Sequence, residues 1–358
     1  MSRIIAHLDM DAFFAAIEER DTPAFRGMPL VVGADPQGGR GRGVVSTSNY
    51  LARAYGIHSA TPISIAWRLS EAARRRGKPP VIFVSVDMPK YRRVSDEVMQ
   101  MVRHAIPKVE QASIDEAYGD VSWTESYEKA EQVCRRLQEL IYLEQRLTAS
   151  VGIGPNKLMA KIASGLRKPN GLTIVREEER ELFLAPLSIR VIPGIGPKTE
   201  AIFKGMGVTL VKQLRALSAS QLEHRLGKRG IDFYEKARGW DDSSVEEYSE
   251  PKSISEQETF ESDTLDSQTL LDQLERLVRG VIERLHHEGF QSFRTVVLIV
   301  RFSDFKTSSR AHTLAEPASE SAVLRREGLK LLMPFFDRRE NPHRKPIRLL
   351  GLRVEKLL

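Results

Sequence analysis

Apolar residues along this chain occur either in short continuous runs or at helical spacing, and this difference distinguishes predicted strands from predicted helices. Short apolar runs at 4–8 and 81–84 predict buried strands, whereas apolar residues at helical spacing between 91 and 105 predict an amphipathic helix. The other elements predicted for this half are strands at 30–32, 44–45 and 148–153, and helices at 13–19, 50–55, 65–76 and 127–147. The order strand, helix, hairpin, helix, strand is typical of a mixed sheet with helices on one face.

The texture changes at residue 168, where short helices separated by glycines begin and continue to about 240. Residues 241–251 are acidic and serine-rich and end in a proline, which favours a linker. The remainder predicts a β-α-β-β-α-β module of ferredoxin-like type. Its predicted strands are 253–260, 295–302, 308–314 and 347–354, and its helices are 270–286 and 319–333.

Two adjacent acids, Asp115 and Glu116, interrupt a stretch that otherwise predicts a β-hairpin. Neighbours on a flat strand point to opposite faces, so both acids reach one site only if the pair lies at a turn or twist. Asp9, which ends the first strand, supplies a third carboxylate. Hard oxygen ligands without a His or Cys cluster suit paired Mg²⁺ ions better than zinc. An acid pair at a hairpin tip is more often a solvated turn, so the other motifs decide between the two interpretations.

Composition narrows the class of protein without fixing its function. The chain has 358 residues, of which 41% are hydrophobic and 28% charged, which is typical of a globular protein with several domains. A net charge of +6 and a pI near 9.3 favour anionic partners. The lone Cys134 excludes an intramolecular disulfide and fits a reducing compartment. The first strand leaves no room for a signal peptide, and no apolar run reaches membrane-span length, so we expect a cytoplasmic protein without membrane contact.

A second motif lies between helical segments at 193–198, where Gly194 and Gly196 flank an apolar residue and Lys198 follows. Glycines here bare backbone N–H groups beside a helix N-terminus, which is a phosphate-binding arrangement. Such backbone contacts hold DNA without reading its sequence. The motif predicts a helix-hairpin-helix, with a plain helix–helix turn as the alternative.

Three polar residues have the chemistry to bind a polyphosphate. Tyr50 and Arg53 lie three apart on one helical face, and a guanidinium matches phosphate oxygens. Lys161 lies on a helix that follows a strand, where a cation can reach a polyphosphate. Each of them taken singly is more often an ordinary surface residue.

Aromatic and basic residues elsewhere extend the same hypothesis. Phe13 and Phe14 are most simply core residues, but beside a metal-bound nucleotide one ring would lie near the sugar and exclude a 2′-hydroxyl. Strands carrying Arg301, Lys306 and Arg310 would suit a nucleic-acid backbone, although a mixed charged face is commonly just solvated.

The motifs at 9–14, 46–53, 113–118, 154–161 and 193–196 occur in this order and together resemble the Y-family translesion DNA polymerases, most closely their polymerase IV branch. The resemblance covers nearly the whole chain. It implies an α+β multidomain right hand with palm, fingers, helix-hairpin-helix thumb and a ferredoxin-like little finger. The implied bounds are palm 1–12 and 80–167, fingers 13–79, thumb 168–240, linker 241–251 and little finger 252–358.

The resemblance also implies roles for individual residues. Asp9, Asp115 and Glu116 would hold two Mg²⁺ ions, with the carbonyl of Met10 as a further ligand and Asp11 in support. The other implied roles are triphosphate binding by Tyr50, Arg53 and Lys161, a steric gate at Phe14 with Phe13 beneath the sugar, and contact with the nascent base pair by Val32, Val44 and Ser46.

The resemblance implies a template-directed DNA polymerase of low fidelity. It would extend primers from dNTPs by two-metal-ion chemistry, bypass damaged template bases and lack a proofreading exonuclease. The expected partners are primer-template DNA and dNTP, and the simplest working unit is a monomer. Residues 355–358 are not a convincing clamp-binding tail, so the sequence does not decide whether the protein binds a sliding clamp. It also does not decide whether Mn²⁺ can replace Mg²⁺.

Two alternatives belong to other classes. A non-catalytic DNA-binding paralogue would be expected to lose the acids, and a palm-type transferase such as a cyclase needs no grip on a duplex.

The sequence departs from the family pattern at Gly119, Ser85, Thr61 and a loop at 38–43 rich in glycine and arginine. Gly119 replaces a bulky apolar residue, so we expect looser packing beneath the metal site. These departures put fidelity and lesion preference in question rather than activity.

Overall fold

The computed structural model describes residues 3–248, 250–337 and 339–358. Residues 1 and 2 of the predicted palm, 249 of the predicted linker and 338 of the predicted little finger lie outside the described residues. The chain forms two compact units, Met1–Tyr248 and Ser249–Leu358.

The first unit contains two sheets and a helical segment. Its strands are β1 (Ile5–Met10), β2 (Leu30–Gly33), β3 (Val45–Ser48), β4 (Ile82–Ser85), β5 (Lys108–Gln111), β6 (Glu116–Asp120), β7 (Ala149–Gly154) and β8 (Leu172–Ile174). Its helices are α1 (Phe13–Asp21), α2 (Tyr50–Arg53), α3 (Ile63–Arg74), α4 (Met88–Ala105), α5 (Tyr127–Gln145), α6 (Lys157–Leu166), α7 (Arg180–Leu184), α8 (Pro197–Gly205), α9 (Val211–Arg215), α10 (Ala219–Leu226) and α11 (Lys228–Lys236).

The larger sheet has the order β5-β6-β1-β7-β8, with β1 antiparallel to both of its neighbours. Ala6 and Leu8 face the core formed with α4 and α5, whereas Ile5 packs on the other face with Ala160 of α6. The prediction of helices on one face only is therefore wrong. Apolar residues at odd and even positions of β1 are the signal of a strand buried on both faces.

The close approach of α6 depends on glycine in β7. A Cβ atom at Gly152 would lie 2.0 Å from the carbonyl oxygen of Ala160, so no larger residue fits there without displacing the helix. This packing fixes α6, which carries Lys161, against the strands that carry the acids.

The smaller sheet has the order β3-β2-β4, in which β4 runs parallel to β2. The predicted palm boundary at residue 80 falls before β4, which thus belongs with the preceding strands. The loop at 38–43 is folded rather than loose: Gly39 lies so close to the Trp67 ring that a Cβ atom there would be 2.8 Å from Cδ1.

Packing around Gly119 agrees in part with the looser packing expected there, because Gly119 lines a small apolar cavity. The Ile106 side chain fills the vacated space, and its Cδ1 atom would lie 2.8 Å from a Cβ atom at position 119. An apolar cavity of about 10 Å³ remains beside Cys134. Burial raises the pKa of the Cys134 thiol to about 12, so this cysteine is an unreactive core residue.

The segment from 168 to 240 begins with a strand that the sequence did not reveal. β8 pairs in parallel with β7 at the edge of the larger sheet, so the predicted boundary at 168 also cuts a sheet. The helices α7–α11 then pack around a separate core that contains Phe203 and Phe233, whose ring centroids are 5.9 Å apart.

Residues 241–248 contain no helix or strand, as expected of a linker, yet they pack against other parts of the first unit. Val245 is 2% exposed and lies among Ile5, Tyr118 and Ala160. Asp241 Oδ2 accepts a hydrogen bond of 2.9 Å from the N–H of Leu158. An isolated valine within a mostly polar segment was the available sequence signal of this anchoring.

The second unit confirms the predicted β-α-β-β-α-β order. Its elements are β9 (Ser253–Thr264), α12 (Ser267–His287), β10 (Phe293–Phe302), β11 (Thr307–Ala318), α13 (Ser321–Phe336) and β12 (Ile347–Glu355). The antiparallel sheet has the order β11-β10-β12-β9, so each strand-helix-strand unit encloses one strand of the other. Among the described residues, no helix has the length and apolarity needed to cross a membrane.

Candidate active site

Strand pairing brings the first and last of the predicted acids side by side. Asp9 on β1 and Glu116 on β6 are direct cross-strand partners, so their side chains share a face of the sheet. Asp115 lies just before β6 in the hairpin turn, and its carbonyl accepts a 3.0 Å hydrogen bond from the N–H of Met10. Ser113 Oγ stabilises the turn, donating to Asp115 Oδ1 at 2.6 Å and accepting from the N–H of Glu116 at 3.0 Å. The turn that the adjacent acids required is therefore present.

Asp9 is largely buried and forms an ion pair with Lys168. Burial raises the pKa of the Asp9 carboxyl to about 6, and the nearby charges of Glu116 and Asp115 act in the same direction, while Lys168 opposes them. With this pKa the carboxyl is mostly ionised at neutral pH, and Lys168 is the neighbouring cation that favours the ionised form.

Glu116 has the opposite electrostatic environment although it is the neighbour of Asp9. Its Oε2 atom lies 2.7 Å from Lys161 Nζ and 3.8 Å from His7 Nε2. Interaction with His7, followed by that with Lys161, lowers the pKa of Glu116 to about 2. His7 itself is fully buried, and burial lowers its pKa, while its Nδ1 atom lies 2.8 Å from Ser164 Oγ.

The donor set fits a hard divalent cation. Among the described residues, no group of three or more His, Cys, Asp or Glu side chains is arranged to hold a metal as it stands; Asp9 and Glu116 each contact a lysine ammonium. The ammonium groups of Lys161 and Lys168 lie beside the carboxylates, where positive charge offsets their mutual repulsion. Carboxylate oxygens and a backbone carbonyl are ligands that Mg²⁺ accepts.

Asp11 links three parts of the site without being exposed itself. The residue is 2% exposed, and its carboxylate accepts hydrogen bonds from Tyr50 Oη at 3.2 Å, Ser150 Oγ at 2.8 Å and the N–H of Asn170 at 2.7 Å. With its oxygens engaged in this way, Asp11 fits the expected supporting role better than that of a ligand.

Tyr50 and Arg53 lie on α2, which Asn49 caps. Asn49 Oδ1 accepts from the N–H of Ala52 at 2.9 Å, and its amide group also bonds to neighbouring segments. The Arg53 guanidinium lies 4.7 Å from the Tyr50 ring centroid, so the structure brings this predicted pair together. The Tyr50 hydroxyl is protonated at neutral pH and can donate a hydrogen bond, and burial raises its pKa further.

The two aromatic residues after Asp9 have different environments. Phe13 is 2% exposed and belongs to the core, whereas Phe14 is half-buried. The Phe14 ring stacks on Tyr91 with centroids 4.2 Å apart and an interplanar angle of 11°.

The structure only partly groups the three residues predicted to lie near the nascent base pair. Val44 is 47% exposed and Ser46 is half-buried, and the residue between them, Val45, is buried. Val32 is fully buried in the core, so its side chain does not share a surface with the other two.

The predicted hairpin at 193–198 is present ahead of α8. Gly194 has φ +96°, which favours glycine, and its carbonyl accepts a 2.9 Å hydrogen bond from Arg229 Nη2. Gly196 is the N-cap residue of α8, and Lys198 is exposed in its first turn. Arg229 adds a cation beside this turn that the sequence did not identify.

The basic residues of the second unit do not form one surface. Arg301 pairs across the sheet with Thr307 and donates to its Oγ1 atom at 3.0 Å, and Lys306 lies exposed in the turn. Arg310 is instead the cross-strand partner of Leu298, a core residue that faces the helices, and it forms an ion pair with Glu340. Arg310 and Arg301 therefore lie on opposite faces of the sheet and do not share one surface.

Lys168 is the main residue that sequence reasoning missed. It contacts Asp9 and lies just beyond the end of α6, in the segment that leads into β8. The sequence of segment 168–171 indicated only a change in the kind of secondary structure, and no local signal connected Lys168 with Asp9.

Comparison with family models assigns most of the chain. The impB/mucB/samB family model matches residues 8–165, and its C-terminal domain model matches 251–358. A thumb-domain model described as that of DNA polymerase-iota matches 190–241.

Among curated proteins, the chain is 42% identical to DNA polymerase IV 2 of Methanosarcina mazei over 99% of the chain and 92% of that protein. It is 38% identical to DNA polymerase IV of Streptococcus suis over 99% of the chain and 96% of that protein. Solved structures with 99% coverage of both chains include a Y-family polymerase chimera, Dbh-Dpo4(243-245)-Dbh, at 27% identity and TM-score 0.86. The insertion ternary complex of Dbh DNA polymerase matches at 26% identity and TM-score 0.68.

Proposed function

The chain belongs to the Y-family DNA polymerases and is a DNA-directed DNA polymerase of the low-fidelity translesion class, and we propose that Asp9, Asp115 and Glu116 hold its catalytic divalent metal ions. The observation that carries this proposal is the direct pairing of Asp9 with Glu116 beside the turn that holds Asp115. Two Mg²⁺ ions suit these oxygen donors, with the Met10 carbonyl as a further ligand. When bound, such ions favour the deprotonated primer hydroxyl and stabilise charge on the phosphate oxygens.

Lys161 and Lys168 hold the carboxylates in the absence of metal and bind the triphosphate in its presence. Each ammonium is already within reach of the acids, so each can exchange a carboxylate for a phosphate oxygen without a large movement. Tyr50 and Arg53 add a hydroxyl donor and a guanidinium, which are the partners that phosphate oxygens prefer. Lys168 thus joins the triphosphate-binding residues predicted from the sequence.

Further residues act on the sugar, the base pair and the duplex. Phe14 is the steric gate, with Phe13 as the core residue beneath it, and Val44 and Ser46 border the nascent base pair. The backbone at Gly194 and Gly196, together with Lys198 and Arg229, contacts DNA phosphates, and Arg301 and Lys306 provide further backbone contacts.

The proposed bounds follow the sheets. The fingers extend through β4 to residue 85, the palm includes β8, and the thumb comprises α7–α11. A monomer on primer-template DNA, a cytoplasmic location and optional use of a sliding clamp or Mn²⁺ stay predictions.

The deciding experiment is primer extension on an undamaged primer-template with Mg²⁺ and dNTPs. Wild type should extend the primer, and Asp115→Ala/Glu116→Ala should not, while both bind the duplex. Glu177→Ala/Glu178→Ala, which removes two adjacent acids from an exposed turn, is the matched control and should remain active. Extension by the Asp115/Glu116 variant would refute the proposed site. Binding without extension by wild type would instead favour a non-catalytic DNA-binding protein.

A further inference from the structure

Helix α1 presents two residues one turn apart to the same neighbour. Phe14 and Glu18 are spaced i, i+4 and therefore lie on one face of α1. Tyr91, near the start of α4, lies along this face: its ring stacks on Phe14, and its hydroxyl donates a 2.6 Å hydrogen bond to Glu18 Oε1. The phenol is thus fixed to α1 at both ends.

The Glu18 carboxylate is suited to hold the hydroxyl because it is buried and electrically compensated. Its side chain is 7% exposed, and Lys90 Nζ lies 2.6 Å from the same Oε1 atom. Lys90 also lies 5.6 Å from the Tyr91 ring centroid. Loss of either partner would leave the buried carboxylate uncompensated at a cost in free energy, so these contacts resist rearrangement.

The start of α4 is itself held in place. Asp87 caps the helix by accepting a 3.1 Å hydrogen bond from the N–H of Lys90, and its carbonyl accepts from the N–H of Tyr91 at 3.1 Å. Tyr91 is fully buried, so its ring has no solvent into which to move.

From this arrangement we propose that Tyr91 is a specificity-determining residue that acts through Phe14, setting how strictly ribonucleotides are rejected. The inference rests on the proposed role of Phe14 as steric gate. A gate rejects a 2′-hydroxyl only if its ring cannot tilt or withdraw. The parallel contact with an immobile Tyr91 ring restrains Phe14 in that way, and the hydrogen bond to Glu18 keeps Tyr91 in register. Tyr91 is a positioning residue and does not touch the reacting atoms.

The size of the effect follows from the strength of aromatic stacking. A stacked pair contributes about 0.5–1.5 kcal/mol, so its loss should reduce discrimination between dNTP and rNTP by about 2- to 12-fold. Tyr91→Leu removes the stack but keeps an apolar side chain. Tyr91→Phe keeps the stack and loses only the hydroxyl, so its effect should be smaller.

The test measures single-turnover incorporation of dATP and ATP opposite template T, with rate and nucleotide affinity determined separately. Tyr91→Leu should raise the efficiency for ATP relative to dATP while leaving dATP incorporation within about 3-fold of wild type. Phe203→Leu, in the core of α7–α11, is the control for general loosening and should leave the ratio unchanged. Equal losses for both nucleotides would mean a merely structural role and would overturn the proposal.

A double-mutant cycle separates this inference from the one on which it rests. Phe14→Ala should relax discrimination much more than Tyr91→Leu, and adding Tyr91→Leu to Phe14→Ala should change the ratio no further. If Phe14→Ala leaves the ratio unchanged, the gate assignment fails. If Phe14→Ala relaxes the ratio but Tyr91→Leu does not, the gate stands and the role of Tyr91 is refuted.

Discussion

The acidic edge of the β5-β6-β1-β7-β8 sheet and the β11-β10-β12-β9 sheet of the second unit organise charge in different ways. At the first, Asp9 and Glu116 are direct partners on paired strands, and each is held by its own lysine. At the second, Arg301 and Arg310 lie nine residues apart on adjacent strands and point to opposite faces. A site for catalysis needs convergent groups in a fixed geometry, whereas a surface for a phosphate backbone tolerates dispersed charge.

Removing one carboxylate from each unit tests most directly whether the two charged regions differ in function. Asp9→Asn should lower the rate of nucleotide incorporation by about 10³-fold or more, because a preorganised charge at the reacting centre is lost. Asp304→Asn removes an exposed carboxylate from the second unit, where it pairs with Lys345, and should leave the rate within about 2-fold of wild type. Single-turnover primer extension measures both. Comparable losses would mean that Asp9 has no special place in the chemistry.

The acids of the first site should also differ from each other in their effect on stability. The pKa of Asp9 is raised, so its ionised form is disfavoured in the folded protein and the stability it contributes falls as pH rises through about 6. The pKa of Glu116 is lowered, so its ionised form stabilises the fold above its ordinary pKa, and this is lost as pH falls towards 2. At pH 7.5 without metal, Asp9→Asn should therefore stabilise and Glu116→Gln destabilise, each by up to about 3 kcal/mol.

Urea unfolding in EDTA, followed by tryptophan fluorescence, measures this difference. Trp67, Trp123 and Trp240 all lie in the first unit, so the signal reports on that unit. If both substitutions changed the free energy of unfolding in the same direction, the two carboxylates would share one electrostatic environment despite their different partners. A gain in stability at the expense of activity would make Asp9 a residue retained for function.

Two lysines, Lys168 beyond the end of α6 and Lys157 on α6, test whether a cation must contact the acids to bind the nucleotide. Lys168→Ala should weaken dNTP binding by about 10- to 100-fold, as expected for a lost charged hydrogen bond, with a smaller effect on the rate at saturation. Lys157→Ala is the matched control because Lys157, on the same helix as Lys161, pairs with Glu110 and not with Asp9 or Glu116. The concentration dependence of single-turnover rates gives both quantities. Equal nucleotide affinity for the two variants would remove Lys168 from the site.

How far the sequence could predict the structure also differs between the two sheets. Asp9, Asp115 and Glu116 could be identified because each lies at a strand end or turn, where local pattern determines position. Lys168 could not be placed with Asp9, because the two are 159 residues apart and only the parallel pairing of β8 with β7 brings that segment to the acids.

In the second sheet, the sequence likewise predicts the order of the elements but not the orientation of an individual side chain. Its order of elements follows from local hydrophobic periods, and it was predicted correctly. The orientation of Arg310 depends on its register opposite Leu298, and a shift of one residue turns a strand side chain to the other face. Counting basic residues along a strand does not supply that register.

The smallest effect, and the sharpest test of the second sheet, comes from comparing its two arginines. Arg301→Ala should weaken duplex binding by about 2- to 5-fold and reduce the salt dependence of binding by about one phosphate contact, since Arg301 lies beside Thr307 near the turn. Arg310→Ala should leave both unchanged but lower the thermal stability of the chain, because Glu340 loses its partner and the partly buried Arg310 side chain is removed. Fluorescence anisotropy with a labelled primer-template over a salt series distinguishes the two. An equal loss of DNA affinity for Arg310→Ala would restore it to the DNA-binding surface and make register a poor guide to which residues of this sheet contact DNA.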